Sequence, residues 1–145
     1  MIKIEDLKDM GYVGDQLDFW QYWEPQANPW DRTPQQMVKE FIATSGQNPD
    51  PATYFDLIEE EFNELFEAMW TGSPEEEKLK ELADLVYVCY GYAIACGYDL
   101  DKAFAKVHDN NMGRMFQEDG TIKRREDGKV IKNPSYPKVD LKDCV

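Results

Sequence analysis

The chain has 145 residues, enough for one domain with its own core, and carries 16 Lys and Arg against 29 Asp and Glu, a formal net charge of -13. So acidic a chain is repelled by nucleic-acid backbones and anionic membranes, and neither a nucleic-acid polymer nor a membrane is an expected partner. No run of 18 apolar residues spans a bilayer, and the start MIKIEDLKDM lacks a signal-peptide pattern. Cys89, Cys96 and Cys144 form no CxxC pair, so a cytoplasmic protein with reduced thiols is expected.

Residues 1–34 are rich in aromatics and prolines (Phe19, Trp20, Tyr22, Trp23 and Trp30; Pro25, Pro29 and Pro34). They read as an irregular segment that packs on the body or on another subunit. The remainder, 35–145, reads as one helical domain. Thr33-Pro34 gives a cap and a first-position proline for a first helix that stops near Gly46. A second helix runs through FDLIEEEFNELFEAMW to Thr71-Gly72. Ser73-Pro74 with Glu75 and Glu76 opens a third, which ends near Gly97. Asp99 or Asp101 caps a fourth, DKAFAKVHDNNMGRM. Asp127-Gly128 between two short segments of TIKRREDGKVI signals a hairpin. Seven of the sixteen basic residues lie beyond position 120, so the tail is basic and the helices are acidic.

Four carboxylates depart from ordinary surface charge. On the second helix the apolar set Leu57, Ile58, Phe62, Leu65, Phe66 and Met69 covers about half the circumference, at about 100° per residue. Glu59 and Glu60 point away from it, whereas Glu61 falls between Leu57 and Leu65, and Glu64 sits at the same edge. A carboxylate placed there without a positive partner costs several kcal/mol. On the third helix Glu81 and Asp84, again three apart, precede a charge-free run, LVYVCYGYAIACGY, expected to be buried nearly all round. Their face continues into Val88, Gly91 and Ala95, small enough for a close approach. Two such pairs on consecutive helices can converge, and four oxygen donors without nitrogen or sulfur suit Mg²⁺ or Mn²⁺. Isolated acidic pairs at this spacing are ordinarily solvated, as Glu75, Glu76 and Glu77 are expected to be.

Other metal chemistries fit worse. A single histidine and no clustered cysteines disfavour zinc. A di-iron bundle needs Glu-x-x-His pairs, and His108, read as an exposed helix residue, has Ala105 three residues before it. Asp109-Asn110-Asn111 lacks the glycine position and final glutamate of an EF-hand. The competing non-enzymatic reading is an acidic helical interaction module that mimics nucleic acid, with its carboxylates spread over exposed faces.

The segments E61-F-N-E64 and E81-L-A-D84, with sixteen residues between them, resemble the ExxE…ExxD signature of the MazG-like, all-α nucleoside triphosphate pyrophosphohydrolases. The later VHDNNMGRM and REDGKVIKNPSYPKVDL look like the tail of phage-type members, and the resemblance spans about residues 36–141. It implies a four-to-five-helix bundle with a short C-terminal hairpin or extended tail, assembled as a homodimer or homotetramer. The implied reaction is Mg²⁺-dependent hydrolysis of a (deoxy)nucleoside triphosphate to the monophosphate and pyrophosphate, with a lean to a purine deoxynucleotide such as dGTP. Metal and catalytic roles fall on Glu61, Glu64, Glu81 and Asp84, with the general base left open among them. Substrate contacts fall on Asn111, on Arg114 where the motif usually has lysine, and on Lys129, Lys132 and Tyr136. Lys123, Arg124 and Arg125 read as solvated hairpin charges.

Overall fold

A computed structural model describes residues 31–145, so the aromatic segment read over 1–34 lies almost wholly outside the described residues. The compact unit beginning at Arg32 is all-helical: α1 (Pro34–Ser45), α2 (Pro51–Thr71), α3 (Glu75–Ala95), α4 (Leu100–Arg114) and a closing 3-10 turn (Lys142–Cys144). No strand forms among the described residues.

The helix starts follow from local hydrogen bonding. Thr33 Oγ1 accepts from the Gln36 amide at 3.3 Å and Gln36 Oε1 accepts from the Thr33 amide at 2.8 Å, a reciprocal cap that satisfies two otherwise orphaned donors. Asp50 does the same work for α2, accepting from the Thr53 amide at 2.8 Å and its hydroxyl at 3.0 Å. That pairing of cap and proline starts α2 at Pro51, earlier than the apolar periodicity alone indicates. For α3 the expected Ser73 cap is not used. Pro74 takes the capping position with no side-chain bond, and the Ser73 amide donates to the Ala68 carbonyl at 3.0 Å, closing α2 beside Gly72 at φ 73°. Asp99, rather than Asp101, caps α4 through the Lys102 amide at 3.0 Å.

Gln35, only 5 % exposed, ties the two ends of the chain order together. Its amide nitrogen donates to the Tyr98 carbonyl at 2.8 Å, and its oxygen accepts from the Leu100 amide at 2.7 Å and the Asp101 amide at 3.3 Å. One side chain from the first turn of α1 therefore completes the N-terminus of α4.

The short 72–74 connection makes α2 and α3 packed neighbours, with α1 laid across α3 and α4 packed on α1 and the closing turn. Val38 and Ile42 of α1, Tyr54 of α2 and Val88 of α3 form the buried centre, with Leu57, Ile58, Tyr90, Tyr92 and Ile94 packed around it. At Gly91 α3 comes close to α2: a β-carbon there would stand 2.0 Å from the Tyr54 ring. The small-residue face expected at Val88 and Gly91 is thus occupied by an aromatic side chain. The charge-free run of α3 is not buried all round, as its sequence suggests. Only Val88, Gly91 and Ala93 are buried, while Val86 and Tyr87 are exposed, because α1 and α2 cover only part of the helix.

Beyond α4 the hairpin is reduced to one antiparallel bridge, Arg124 to Val130, with Gly128 at φ 82° in the turn. Two backbone bonds flank it, Arg125 N to Lys129 O and Ile131 N to Lys123 O, each 2.8 Å. Asn133 anchors the chain as it leaves the hairpin: its backbone amide reaches the Arg114 carbonyl at 2.7 Å and its side chain donates to the Phe116 carbonyl at 3.1 Å.

The Gly91 contact yields a sharp expectation. Alanine in a helix gains about 1 kcal/mol over glycine, but overpacking against a buried ring costs up to about 3 kcal/mol. Gly91→Ala should therefore lower the urea midpoint of unfolding with the helical circular dichroism of the folded state retained. An unchanged or higher midpoint would show that Tyr54 yields freely.

Candidate metal centre

Helix geometry alone brings the acidic side chains level. Glu61 lies twelve residues before Ser73 and Asp84 eleven after it, about 18 and 16 Å of helix rise on the two arms of one helical hairpin. Glu81 is one turn from Asp84 on the same face. The structure places one carboxylate oxygen from each of Glu61, Glu81 and Asp84 within 4.8 Å of one another. Of the four carboxylates read from the sequence these three converge. Glu64 is exposed and stands outside that group, close enough for its charge to act on Glu61.

The electrostatics of the group are unbalanced. Glu61 Oε2 is buried and has no hydrogen-bond partner, an arrangement that costs free energy unless something positive meets it. Desolvation first, then repulsion from Glu64 and Asp84, pushes the Glu61 pKa above its ordinary value. One cation is in place: Lys80 Nζ lies 2.7 Å from Asp84 Oδ2 and 3.2 Å from Glu81 Oε2. These bonds hold the Lys80 ammonium well above the usual lysine range. Three hard oxygen donors at this spacing, from a set in which one carboxylate has a buried unpartnered oxygen, fit a divalent cation such as Mg²⁺ or Mn²⁺.

The residues expected to meet substrate gather at the end of α4, apart from Lys129. Lys132 Nζ donates to Asn111 Oδ1 at 2.7 Å. The Tyr136 ring lies against Gly113, leaving no room for a β-carbon. Arg114 is half-buried, its Nε without a partner, one residue beyond Gly113. Lys129 sits on the hairpin turn, exposed, and no side-chain bond joins it to the others. Nearer the end of the tail, Asn110 Nδ2 donates to the Pro137 carbonyl at 2.8 Å. His108 is exposed, as expected.

Sequence reading missed Lys80, Gln35 and Asn133. Lys80 carried a usable signal, standing one residue before Glu81 and four before Asp84. Gln35 and Asn133 carried none, because their partners lie 63 or more residues away for Gln35 and 17 away for the Asn133 amide.

The raised Glu61 pKa has a defined sign in stability. A folded-state value above the unfolded one means that the metal-free fold binds the proton more readily, so stability falls as pH rises from about 4.5 through the shifted value. Glu61→Gln removes that charge. Thermal melts of the metal-free variant at pH 7 should match or exceed the parent, and the difference should shrink as pH is lowered towards 4. A variant that melts below the parent at pH 7 would mean that Glu61 is held by attraction instead.

No curated protein matches the chain at a significant level. The phosphoribosyl-ATP pyrophosphohydrolase family matches residues 28–111, which take in all four helices up to Asn111 and the whole acidic cluster but not the tail. The ExxE and ExxD pairs, the convergence of Glu61, Glu81 and Asp84 on one helical hairpin and a match over more than half of its length make this chain a member of the phosphoribosyl-ATP pyrophosphohydrolase family, within the MazG-like nucleoside triphosphate pyrophosphohydrolases.

Proposed function

We propose that the protein hydrolyses a (deoxy)nucleoside triphosphate to the monophosphate and pyrophosphate, with Mg²⁺ held by Glu61, Glu81 and Asp84 and with Glu64 as the neighbouring fourth carboxylate. The observation that carries this reading is that Glu61, whose Oε2 is buried and unpartnered, brings a carboxylate oxygen within 4.8 Å of those of Glu81 and Asp84. A solvated acidic face of an interaction module has no reason to bury a carboxylate oxygen without a partner.

When bound, Mg²⁺ supplies Lewis-acid neutralisation of the triphosphate charge. The chain's own residues supply the rest. One of the four carboxylates takes the proton of the attacking water. The resemblance assigns Lys132 and Arg114 to the departing pyrophosphate, where a guanidinium forks onto two oxygens and lysine acts as a point charge. Asn111 holds Lys132 by its amide oxygen. Tyr136, packed on Gly113, stiffens the same end of α4. Lys129, on the exposed turn, is left to meet phosphate or sugar from outside this group.

The substrate class follows from the resemblance, with a lean to a purine deoxynucleotide such as dGTP. The matched family takes its name from phosphoribosyl-ATP, so that nucleotide belongs beside the common triphosphates in any test. In such a panel with Mg²⁺, mass spectrometry should identify monophosphate and pyrophosphate, and EDTA should abolish both. Asp84→Asn should lower kcat more than tenfold, a loss above about 1.4 kcal/mol, and Lys132→Ala should act more mildly. No turnover of any nucleotide, with no divalent binding by calorimetry, would favour the interaction module.

We further propose that the protein works as a homodimer or homotetramer. Phe62, Phe66 and Met69 recur at helical spacing along α2, Leu79, Leu82 and Val86 do so along α3, and all are exposed. Phe66 stacks on Trp70, itself 83 % exposed. Stripes of this kind mark association surfaces. Light scattering should give a multiple of the chain mass, and Phe66→Glu should shift it towards the single chain. A monodisperse single chain before mutation would end this part of the proposal.

A further inference from the structure

The helix pair that carries the acidic cluster is almost without positive charge. Helix α2 has no lysine or arginine, and α3 has only Lys78 and Lys80. Lys78 bonds Glu75 at 2.7 Å in the first turn of α3, away from the cluster. Lys80 bonds both Asp84 at 2.7 Å and Glu81 at 3.2 and 3.3 Å. Helix electrostatics account for this choice only weakly, since an acid N-terminal to a base is the favoured order and Lys80 to Asp84 runs the other way. The ammonium is instead where three carboxylates need a cation.

We propose that Lys80 is a built-in counter-ion of the cluster, holding Glu81 and Asp84 in place in the metal-free protein and giving way when a divalent cation enters. The proposal rests on the reading of this cluster as a divalent-cation site. The same two carboxylates cannot direct their oxygens at an ammonium and at a doubly charged cation without placing like charges side by side. Release is easy, because the Lys80 side chain is 62 % exposed and its ammonium can swing into water. Lys80 is in this view a positioning residue that sets metal affinity through Glu81 and Asp84.

The full-length protein, Lys80→Met, Lys80→Arg and the control Lys78→Met would be titrated with Mn²⁺ by calorimetry and melted without metal. Lys80→Met should bind Mn²⁺ about fivefold more tightly, the upper range for loss of an exposed ion pair, and should melt lower in the absence of metal. Lys80→Arg should stay near the parent in both readouts. Lys78→Met, which changes net charge equally, should bind within about twofold of the parent. Parent and Lys80→Met binding Mn²⁺ with equal affinity would overturn the role of Lys80 and leave the metal site standing. Tighter binding shared by Lys78→Met would overturn it too, as a global charge effect. Mn²⁺ bound by none of the proteins would overturn the metal site itself, and the counter-ion proposal with it.

Discussion

Three carboxylates with oxygens held within 4.8 Å of one another are the constraint around which the α2–α3 hairpin is arranged. Left to themselves, Glu61, Glu81 and Asp84 would separate, since each pair repels and the buried Glu61 oxygen cannot be screened by water. Lys80 bridges Glu81 and Asp84, and the α2–α3 hairpin holds Glu61 level with them. Its short connection fixes the helices as neighbours, and the Tyr54 ring seated on Gly91 fixes their spacing further along the pair. Stability is therefore spent at one level of the hairpin to keep a strained arrangement at another, a common distribution in proteins whose sites are preorganised.

The same logic explains the modest core. Val38, Ile42, Tyr54 and Val88 are few for a unit of this length, and much of the apolar surface of α2 and α3 faces outward. Among the described helices α1 packs on α3, and this leaves much of the hairpin's surface uncovered. The exposed phenylalanines and Trp70 lie on the same helix pair as the carboxylates, so one hairpin presents an acidic cluster and exposed apolar side chains.

Much of this was legible in the sequence. The helix boundaries, the all-α class and the inward position of Glu61 follow from caps and from 3.6-residue periodicity, which are local properties. The pairing of Glu61 with Glu81 and Asp84 was also accessible, because both flank one short turn at nearly equal distance. What escaped was of two kinds. The run from Leu85 to Tyr98 carries no charge, and a charge-free helix looks buried whether its cover comes from its own chain or from elsewhere; the exposure of Val86 and Tyr87 could not be read from it. Gln35 and Asn133 act across long sequence separations through backbone partners, and backbone carbonyls leave no trace in residue identity. The hairpin signal at Asp127-Gly128 was correct about the turn and overstated the strands, because the flanking segments have few apolar residues to pack a sheet face.

The chain's last residues are fastened as firmly as any surface segment here. Asp143 accepts from both Lys102 and Lys106, the Cys144 carbonyl accepts from the Asp99 amide at 2.9 Å, and Asn133 is bonded to Arg114 and Phe116 at the opposite end of α4. The tail is thus riveted at both ends of one helix, with the 126–128 tip projecting beyond the near rivet. A protease that cut this tip would sever the backbone without freeing either piece. The severed C-terminal fragment would stay docked along α4, with Lys132 still beside Asn111, so a nicked molecule would show two bands under denaturing conditions and one particle in native solution.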